Sequence, residues 1–345
     1  MTLQELLGIE LPIIQAPMAG VQGSALAVAV SNAGGLGSLP CAMLGADALR
    51  DELAAICAGT QRPFNVNFFC HVPPAADAAR EARWRALLAP YYAEWGVDPA
   101  AIPPGPVRAP FSDAVADIVE AFRPPVVSFH FGLPPPALLA RVRAWGARIL
   151  CSATTVEEAR WIEAQGVDAV ITQGAEAGGH RGMFLSDDLT TQAGSFALTP
   201  QVVQAVRVPV IAAGGIADAR GVAAALALGA AGVQVGTAYL LCPEANTSAV
   251  HRAALKSAGA AHTALTNLFS GRPARGIVNR VMRELGPINP AAPSFPLATS
   301  AVAPLRAAAE ARGSGDFSPL WTGQNASGCR ELPAAALTRD LAARL

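Results

Sequence analysis

The feature that most constrains the fold of this chain is an alternation of two kinds of segment over its first 240 residues. Short apolar segments rich in β-branched residues and phenylalanine alternate with alanine-rich segments of helical character. This rhythm is typical of parallel strands joined by crossover helices, and eight such strands favour a closed barrel. The predicted strands are 12–18, 35–39, 64–69, 126–131, 148–153, 169–174, 208–215 and 232–240.

The predicted fold class is therefore α/β, in the form of a TIM (β/α)8 barrel. The alternative is a doubly wound open sheet, which normally carries the pattern G-x-G-x-x-G after its first strand. The sequence at that point reads QAPMAGVQG and does not contain the pattern. A closed barrel is the more economical arrangement of eight β/α units.

Two segments depart from the alternation and suggest how the chain is divided. Residues 71–110 are proline-rich with one helical patch, and we expect them to leave the barrel as an excursion. Residues 241–298 are predicted to form a smaller, mainly helical lobe inserted after strand eight, on the substrate side of the barrel. The expected layout is a barrel over 1–240, this lobe over 241–298, and C-terminal helices over 299–345 that complete the barrel.

The composition argues against several classes of function. A formal net charge of −1 leaves no excess of basic residues to bind nucleic acid, so small molecules are the expected partners. The six cysteines include no C-x-x-C pair, so neither a zinc site nor a disulfide framework is predicted. No apolar segment approaches the ~18 residues of a membrane span, and no export signal is recognisable at the N-terminus. We expect a cytoplasmic protein without a membrane partner, as a monomer or homodimer.

Glycines at the ends of the last two predicted strands suggest a phosphate site. In TIM barrels the loops after strands seven and eight frequently bind phosphate. Here strand seven ends in AAGGI, with Gly214 and Gly215, and strand eight contains QVGTAYL, with Gly236. A predicted helix that starts at Asp218, a favourable N-cap residue, would point its positive end at the same place. The structural alternative is that these glycines only permit tight turns, but their joint occurrence favours phosphate binding.

Uncharged side chains at other strand ends suit a flavin better than a sugar phosphate. Met18 follows strand one, Asn67 lies on strand three and Gln173 ends strand six. Amide side chains match the alternating donors and acceptors of an isoalloxazine ring or ribityl chain, as in FMN. Taken singly, each of Asn67 and Gln173 is better explained as a cap of its own loop.

Among the histidines, His180 has the most unusual setting, because it stands alone in the glycine-rich stretch TQGAEAGGHRGMF. His130 ends strand four and His71 follows strand three, so both are candidates to contact substrate. His251 and His262 belong to no H-E-x-x-H pattern, and metal binding by them is not expected. His180 could be catalytic, or it could bond the backbone of its own loop.

The chain resembles the nitronate monooxygenases, formerly called 2-nitropropane dioxygenases, of the class I type. The resemblance is carried by motifs spread over nearly the whole sequence, although EAGGHRG also occurs in related FMN-dependent enoyl reductases. The motifs are QAPMAG at 15–20, NVNFF at 65–69, HFGLP at 130–134, TQGAEAGGHRG at 172–182, PVIAAGGI at 209–216, QVGTAYL at 234–240 and WTGQ at 321–324.

The resemblance implies a TIM barrel that binds FMN, with His180 as the catalytic residue. It also implies that the backbone at Met18 lies against the flavin and that Asn67 bonds the ring or its neighbourhood. By the same likeness, the flavin is lined from strand six and its phosphate is held by the last two strand ends. These further positions are Gln173 and Gly178 for the lining, and Gly215, Gln234, Gly236 and Thr237 for the phosphate.

The implied reaction is oxidative denitrification of an alkyl nitronate, with propionate 3-nitronate as the expected substrate and O2 as the oxidant. One electron passes from the nitronate to FMN, and the products are a carbonyl compound and nitrite or nitrate. His180 would act as a base towards a neutral nitroalkane or, when protonated, would pair with an anionic nitronate. The alternatives are an FMN-dependent NAD(P)H:quinone or enoyl-thioester reductase, and a barrel that binds FMN or a phosphate ligand without turnover.

Overall fold

The computed structural model describes residues 2–102 and 108–345, and its larger part is a barrel of eight parallel strands. Each of the eight predicted strands overlaps one observed barrel strand, so the predicted TIM barrel is confirmed. In chain order the strands are β1 Ile13–Gln15, β2 Gly37–Pro40, β3 Phe64–Phe69, β4 Val126–His130, β5 Arg148–Ala153, β6 Ala169–Gln173, β7 Gly179–His180, β8 Val210–Ala213, β9 Gly232–Val235, β10 Thr263–Thr266 and β11 Ala274–Ile277.

Parallel pairing runs continuously around the barrel. The order is β1-β9-β8-β6-β5-β4-β3-β2, and β7, β10 and β11 lie outside it. The ring is closed between β1 and the residue before β2, where Gln15 N donates to Leu36 O and Leu36 N donates to Ile13 O, both at 2.9 Å. Because all eight strands run in one direction, their carboxyl ends meet at one rim, where TIM-barrel sites form.

The helices cover the outside of the barrel and build the lobe. Within the described residues, none is long and apolar enough to cross a membrane. They are α1 Leu3–Leu7, α2 Ser24–Asn32, α3 Ala46–Gly59, α4 Ala78–Trp95, α5 Asp113–Phe122, α6 Pro136–Ala144, α7 Val156–Ala164, α8 Ser195–Ala205, α9 Ala219–Ala227, α10 Ala249–Lys256, α11 Arg280–Leu285, α12 Thr299–Glu310 and α13 Ala334–Leu341.

The interior of the barrel is apolar at one end and polar at the other. Leu6 and Leu7 of α1 pack with inward-facing residues such as Ile14, Leu150 and Ile211 in one buried cluster. Further along the strands the buried side chains are polar, and they bond one another as well as the backbone. This polar layer includes Ser38, Asn65, Asn67, Ser128 and Ser152.

The lobe is larger than the sequence indicated, because two segments assigned elsewhere belong to it. Helix α4, from the predicted excursion, packs against α12, and Trp84, Leu88 and Leu305 share one buried cluster. The Tyr92 hydroxyl on α4 also donates to Ala301 O at 2.7 Å. Residues 103–107 of the excursion lie outside the described part of the chain.

The C-terminal helices were predicted to complete the barrel together, and the structure divides them. Helix α12 packs in the lobe, as described above, because its apolar face is matched by that of α4. Only α13 returns to the barrel, where it contacts α2 and α9. The Tyr239 hydroxyl lies 2.9 Å from Thr338 Oγ1 and fixes this last helix to the end of the barrel.

A small antiparallel sheet that the sequence analysis did not predict connects the lobe to the barrel. Strands β10 and β11 pair with each other, and β11 also pairs with the two-residue strand β7. Residues 241–298 were expected to contain only helices and loops. These strands escape sequence reasoning because each is at most four residues long, too short for a period-2 pattern. The sheet places Ala274 of the lobe opposite His180 of the barrel loop.

Candidate functional site

A cavity of about 260 Å³ lies at the carboxyl ends of the barrel strands, between the barrel and the lobe. The barrel side is formed by strand ends and the loops that follow them. The lobe side includes Arg108, His251, Arg306 and Trp321. The predicted site residues that line this cavity are Met18, Asn67, His130, Gln173, Gly178, His180, Gly215, Gln234, Gly236 and Thr237.

The loop that carries His180 is fixed by the side chain of Gln173. Its Nε2 donates to His180 O at 2.9 Å, and its Oε1 accepts from Gly182 N at 2.8 Å. Gln173 was predicted to line the cofactor site, and it does reach the cavity. Both of its polar atoms are nevertheless bonded to its own loop, which is the structural alternative considered for it.

Two buried side chains, Arg181 and Glu158, also fix this loop. Arg181 is fully buried and donates to Gly174 O and Gln173 O, both at 2.7 Å, and to Gln192 Oε1 at 3.0 Å. Burial lowers the pKa of this guanidinium to about 10, so it remains charged at neutral pH. The carboxylate of Glu158 accepts from Phe184 N at 2.6 Å, just beyond the loop. The position of His180 is therefore imposed by side chains of β6, of α7 and of the loop itself.

The imidazole of His180 lies in a largely aromatic environment at the cavity. Its centroid is 5.3 Å from that of Phe295 and 5.5 Å from that of Trp321. Burial, reinforced by the positive charges of Arg108 and Arg272, lowers the pKa of His180 well below its ordinary value. The ring is neutral at pH 7, so it can accept a proton.

The other two candidate histidines differ in their relation to the cavity. His130 lines it, but both ring nitrogens are engaged: Nδ1 lies 2.5 Å from Ser152 Oγ and Nε2 lies 3.2 Å from His180 O. His71, predicted to contact substrate, is not among the cavity residues, because it packs edge-on behind Phe295 at 4.8 Å between ring centroids. His130 therefore helps to fix the loop that carries His180. His71 packs against Phe295, one of the aromatic rings beside His180.

The loops after β8 and β9 bring together, in a cradle at the rim of the cavity, the glycines that were predicted to bind phosphate. Gly214 and Gly215 have φ values of 114° and 73°, a conformation that favours glycine. Within the described residues neither amide donates a hydrogen bond. The Thr237 hydroxyl accepts from Gly323 N at 3.0 Å, which leaves its own hydrogen available. These groups all line the same part of the rim.

The expected contribution of helix α9 to this cradle is not present. Its N-terminal amides at Arg220 and Gly221 donate to the carboxylate of Asp218 at 2.9 and 3.0 Å. Asp218 is thus the helix cap that the sequence predicted, and for that reason its negative charge occupies the position an external phosphate would take. The cradle consists of loop amides and a hydroxyl rather than a helix end.

The remaining predicted cofactor residues differ in what they leave available. Gln234 Oε1 is buried and has no hydrogen-bond partner among the described residues. Asn67 Nδ2 donates to Ser128 Oγ at 2.9 Å, and Met18 N donates to Gln22 Oε1 at 3.1 Å. At Gly178 a Cβ would lie 2.5 Å from Gly323 N, so only glycine allows the loop after β6 to meet the C-terminal segment.

Arg108 is a cavity residue that the sequence analysis did not identify. It lines the cavity from the excursion, and its Nε is buried without a partner within residues 2–102 and 108–345. In the same part of the chain no carboxylate forms an ion pair with it. Arg306, also on the cavity, is paired with Glu310 at 2.8 Å. A lone arginine in a proline-rich segment gives no sequence signal, because only the lobe packing brings it to the cavity.

The described residues contain no group of three or more His, Cys, Asp and Glu side chains that could hold a metal ion. His251 lines the cavity, but its Nε2 lies 3.4 Å from Thr322 Oγ1.

Comparison with known proteins gives consistent results over the whole chain. The chain matches the nitronate monooxygenase family over residues 1–343. A nitronate monooxygenase from Pseudomonas aeruginosa is 47% identical, covering 99% of this chain and 97% of its own. The structure of nitroalkane oxidase from Streptomyces ansochromogenes has a TM-score of 0.90 at 42% identity, covering 99% and 97%. FabK from Thermotoga maritima has a TM-score of 0.72 at 27% identity, covering 100% and 96%.

The buried histidines predict a loss of stability in mild acid. Burial lowers the pKa of His130 to about 3, whereas an unfolded histidine titrates near 6.5. The unfolded chain therefore binds more protons than the folded one between these values, and folding free energy is lost as pH falls below about 6.5. We expect His130 to contribute a slope of about 1.4 kcal/mol per pH unit.

Urea denaturation at pH 7 and pH 5 measures this effect. His130→Asn should lose less stability than the wild type between the two pH values, since it has no proton to take up. His262→Asn, at an exposed position, is the matched control and should follow the wild type. An unchanged pH dependence in His130→Asn would contradict the prediction.

Proposed function

Because the chain belongs to the nitronate monooxygenase family and is an enzyme that oxidises nitronates, we propose that it uses FMN and O2, with propionate 3-nitronate as its substrate. The products are a carbonyl compound and nitrite or nitrate. The observation that carries the proposal is a neutral histidine fixed at a cavity that also contains an anion cradle and an unpaired arginine. Each of these three features matches one requirement of the reaction.

The cradle supports FMN as the cofactor. The free amides of Gly214 and Gly215 and the Thr237 hydroxyl suit a phosphate, while the unpartnered Gln234 Oε1 suits a donor on a polar ligand. A buried acceptor without a partner costs about 1–3 kcal/mol, which a ligand donor would recover. When bound there, FMN supplies the electron acceptor of the reaction.

His180 supports proton abstraction from a neutral nitroalkane. Its neutral state at pH 7 provides a lone pair, and the aromatic rings of Phe295 and Trp321 keep water away from it. Of the two roles considered for it, the base is favoured over a resting imidazolium, because Arg108 and Arg272 oppose a further positive charge. An arginine, rather than His180, would then pair with the anionic substrate.

Arg108 supports a substrate with a carboxylate in addition to its nitro group. A guanidinium that is largely buried without a carboxylate partner is costly unless a ligand supplies the missing charge. Arg108 Cζ lies 5.6 Å from the ring centroid of Phe295, which itself packs on His180. Propionate 3-nitronate is an anion of this kind, because a single methylene separates its carboxylate from the reacting carbon.

The test of the proposed function is oxygen consumption by the FMN-loaded protein. We expect uptake with propionate 3-nitronate and none above background with NADH and a quinone or an enoyl thioester. His180→Ala should keep its flavin and lower kcat/KM for neutral nitroethane by about 10²-fold or more, the usual share of a general base. His262→Ala, outside the cavity, is the matched control.

Other outcomes of the same test identify the alternatives. Rapid NADH-dependent turnover without nitronate oxidation would replace the proposal with the reductase. A protein that binds FMN but turns over neither substrate class, and whose His180→Ala variant changes only ligand affinity, would be a binding barrel.

Thr237 tests how the cofactor phosphate is bound. Thr237→Val removes the hydroxyl donor, and a hydrogen bond to a charged group contributes about 1.5–3 kcal/mol. We expect FMN affinity to fall about 10-fold or more, measured by flavin fluorescence, with riboflavin affinity unchanged because riboflavin lacks the phosphate. Thr237→Ser is the matched control. An equal loss for both flavins would contradict a phosphate contact at this residue.

Arg108 tests the nature of the substrate. Arg108→Met removes the charge while keeping most of the volume, and we expect KM for propionate 3-nitronate to rise about 10- to 100-fold. KM for propyl 1-nitronate, which has no carboxylate, should change little. Arg83→Met, at an exposed position on α4, is the matched control. Equal effects on the two nitronates would assign Arg108 to binding of the nitronate group or to packing instead.

A further inference from the structure

The ring of His180 makes a single hydrogen bond among the described residues, and its partner comes from the lobe. Nε2 lies 2.8 Å from the hydroxyl oxygen of Ser270, in the loop between β10 and β11. Ser270 is 2% exposed, so water does not compete for this contact. Nδ1 has no partner there, and it is the nitrogen left for a ligand in the cavity.

The surroundings of the Ser270 hydroxyl decide which nitrogen of His180 carries the proton. The hydroxyl oxygen lies 3.4 Å from Arg272 O and 3.5 Å from Arg272 N, both longer than the contact with His180. A serine hydroxyl has one hydrogen to donate and two lone pairs to accept with. Its three neighbours are one ring nitrogen, one carbonyl and one amide.

Only one arrangement of hydrogens satisfies all three neighbours. If Nε2–H and the Arg272 amide both donate to Ser270 Oγ, the hydroxyl hydrogen can go to the Arg272 carbonyl. If the hydroxyl instead donates to Nε2, the Arg272 carbonyl has no donor. Because the second arrangement leaves a carbonyl without a donor among the described residues, the first arrangement is preferred.

The loop that carries Ser270 is rigid enough to impose this choice. Gly271 has a φ of 90°, and a Cβ at this residue would lie 2.0 Å from Pro293 O. Gly271 N also donates to Asn267 O at 2.8 Å. The guanidinium of Arg272 lies over the ring of Phe131, 4.2 Å from its centroid. The hydroxyl is therefore held against His180 by the two residues that follow it in the chain.

We propose that Ser270 is a positioning residue that holds His180 as its Nε2–H tautomer, so that the unprotonated Nδ1 is the base presented to the substrate. This inference deepens the proposed function and rests on it for the identity of the substrate. It assigns to the lobe a part in the chemistry of a residue that belongs to the barrel.

The proton transfer balances without any further reagent. The Cα–H bond of the nitroalkane breaks, its proton goes to Nδ1, and its electron pair forms the C=N bond of the nitronate. His180 becomes an imidazolium whose Nε2–H still donates to Ser270, while Ser270 still donates to the Arg272 carbonyl. The same network therefore stabilises the charge that appears on the ring.

Nitrogen NMR of the FMN-loaded protein measures which ring nitrogen of His180 carries the proton. The result does not depend on the identity of the substrate. With ¹⁵N-labelled histidine at pH 7.5, the His180 signals are assigned by their absence in His180→Gln. The expected result is protonated Nε2 and unprotonated Nδ1 in the wild type and in Ser270→Thr, with a mixture of tautomers in Ser270→Ala. A wild type with its proton on Nδ1 would overturn the proposal.

Kinetics with two forms of one substrate separates positioning from a structural role. Neutral nitroethane needs the base, whereas preformed ethyl nitronate does not. We expect Ser270→Ala to lower kcat/KM about 10-fold or more for nitroethane and less than about twofold for ethyl nitronate, with Ser270→Thr restoring most of the loss. Ser294→Ala is the matched control, since its hydroxyl accepts from Arg80 at 3.1 Å.

The remaining outcomes are also decisive. An equal loss on both substrates, or no loss on either, would overturn the positioning role. If the wild type oxidises neither substrate, the proposed function fails, and the tautomer measured by NMR still decides the inference about Ser270.

Discussion

The site depends on the bonds that fix a glycine-rich loop whose only regular element is a two-residue strand. Gln173 uses both ends of its amide on the loop after β6, and Arg181 uses its whole guanidinium on carbonyls and one amide of the same region. Flexible backbone of this composition would otherwise sample many conformations, at a cost of about 1–2 kcal/mol per residue to order. These bonds therefore fix the loop in one conformation, although its glycine-rich backbone is intrinsically flexible.

The lobe completes what the barrel begins. Strand β11 pairs with β7, the loop around Ser270 contacts the imidazole, and the excursion brings Arg108 to the same cavity. The barrel strand ends supply the glycine cradle and His180. The lobe supplies the aromatic rings of Phe295 and Trp321 and the guanidinium of Arg108. The proposed function therefore assigns substrate preference to the lobe and cofactor binding to the strand ends.

How much could be predicted from the sequence varied with the range of the interaction. The eight strands, the Asp218 cap and the glycines of the cradle follow from local periodicity and turn chemistry, and the structure contains all of them. The placement of α12, strands β10 and β11, and the roles of Arg108 and Ser270 were not predicted. Each of these depends on contacts between segments far apart in the chain, and no local pattern marks them.

The sequence by itself determined the barrel, the position of His180 on the sixth strand's loop and the resemblance to nitronate monooxygenases, because periodicity and motifs are properties of neighbouring residues. Only the tertiary structure decided that Gln173 serves its own loop, that His71 lies behind Phe295, and that β11 pairs with β7 beside His180. It also lowers the pKa of His180, through burial and the nearby charge of Arg108. The physical reason is that burial, unpaired charge and hydrogen-bond partners are set by packing, which brings Ser270 to within 2.8 Å of a ring that precedes it by 90 residues.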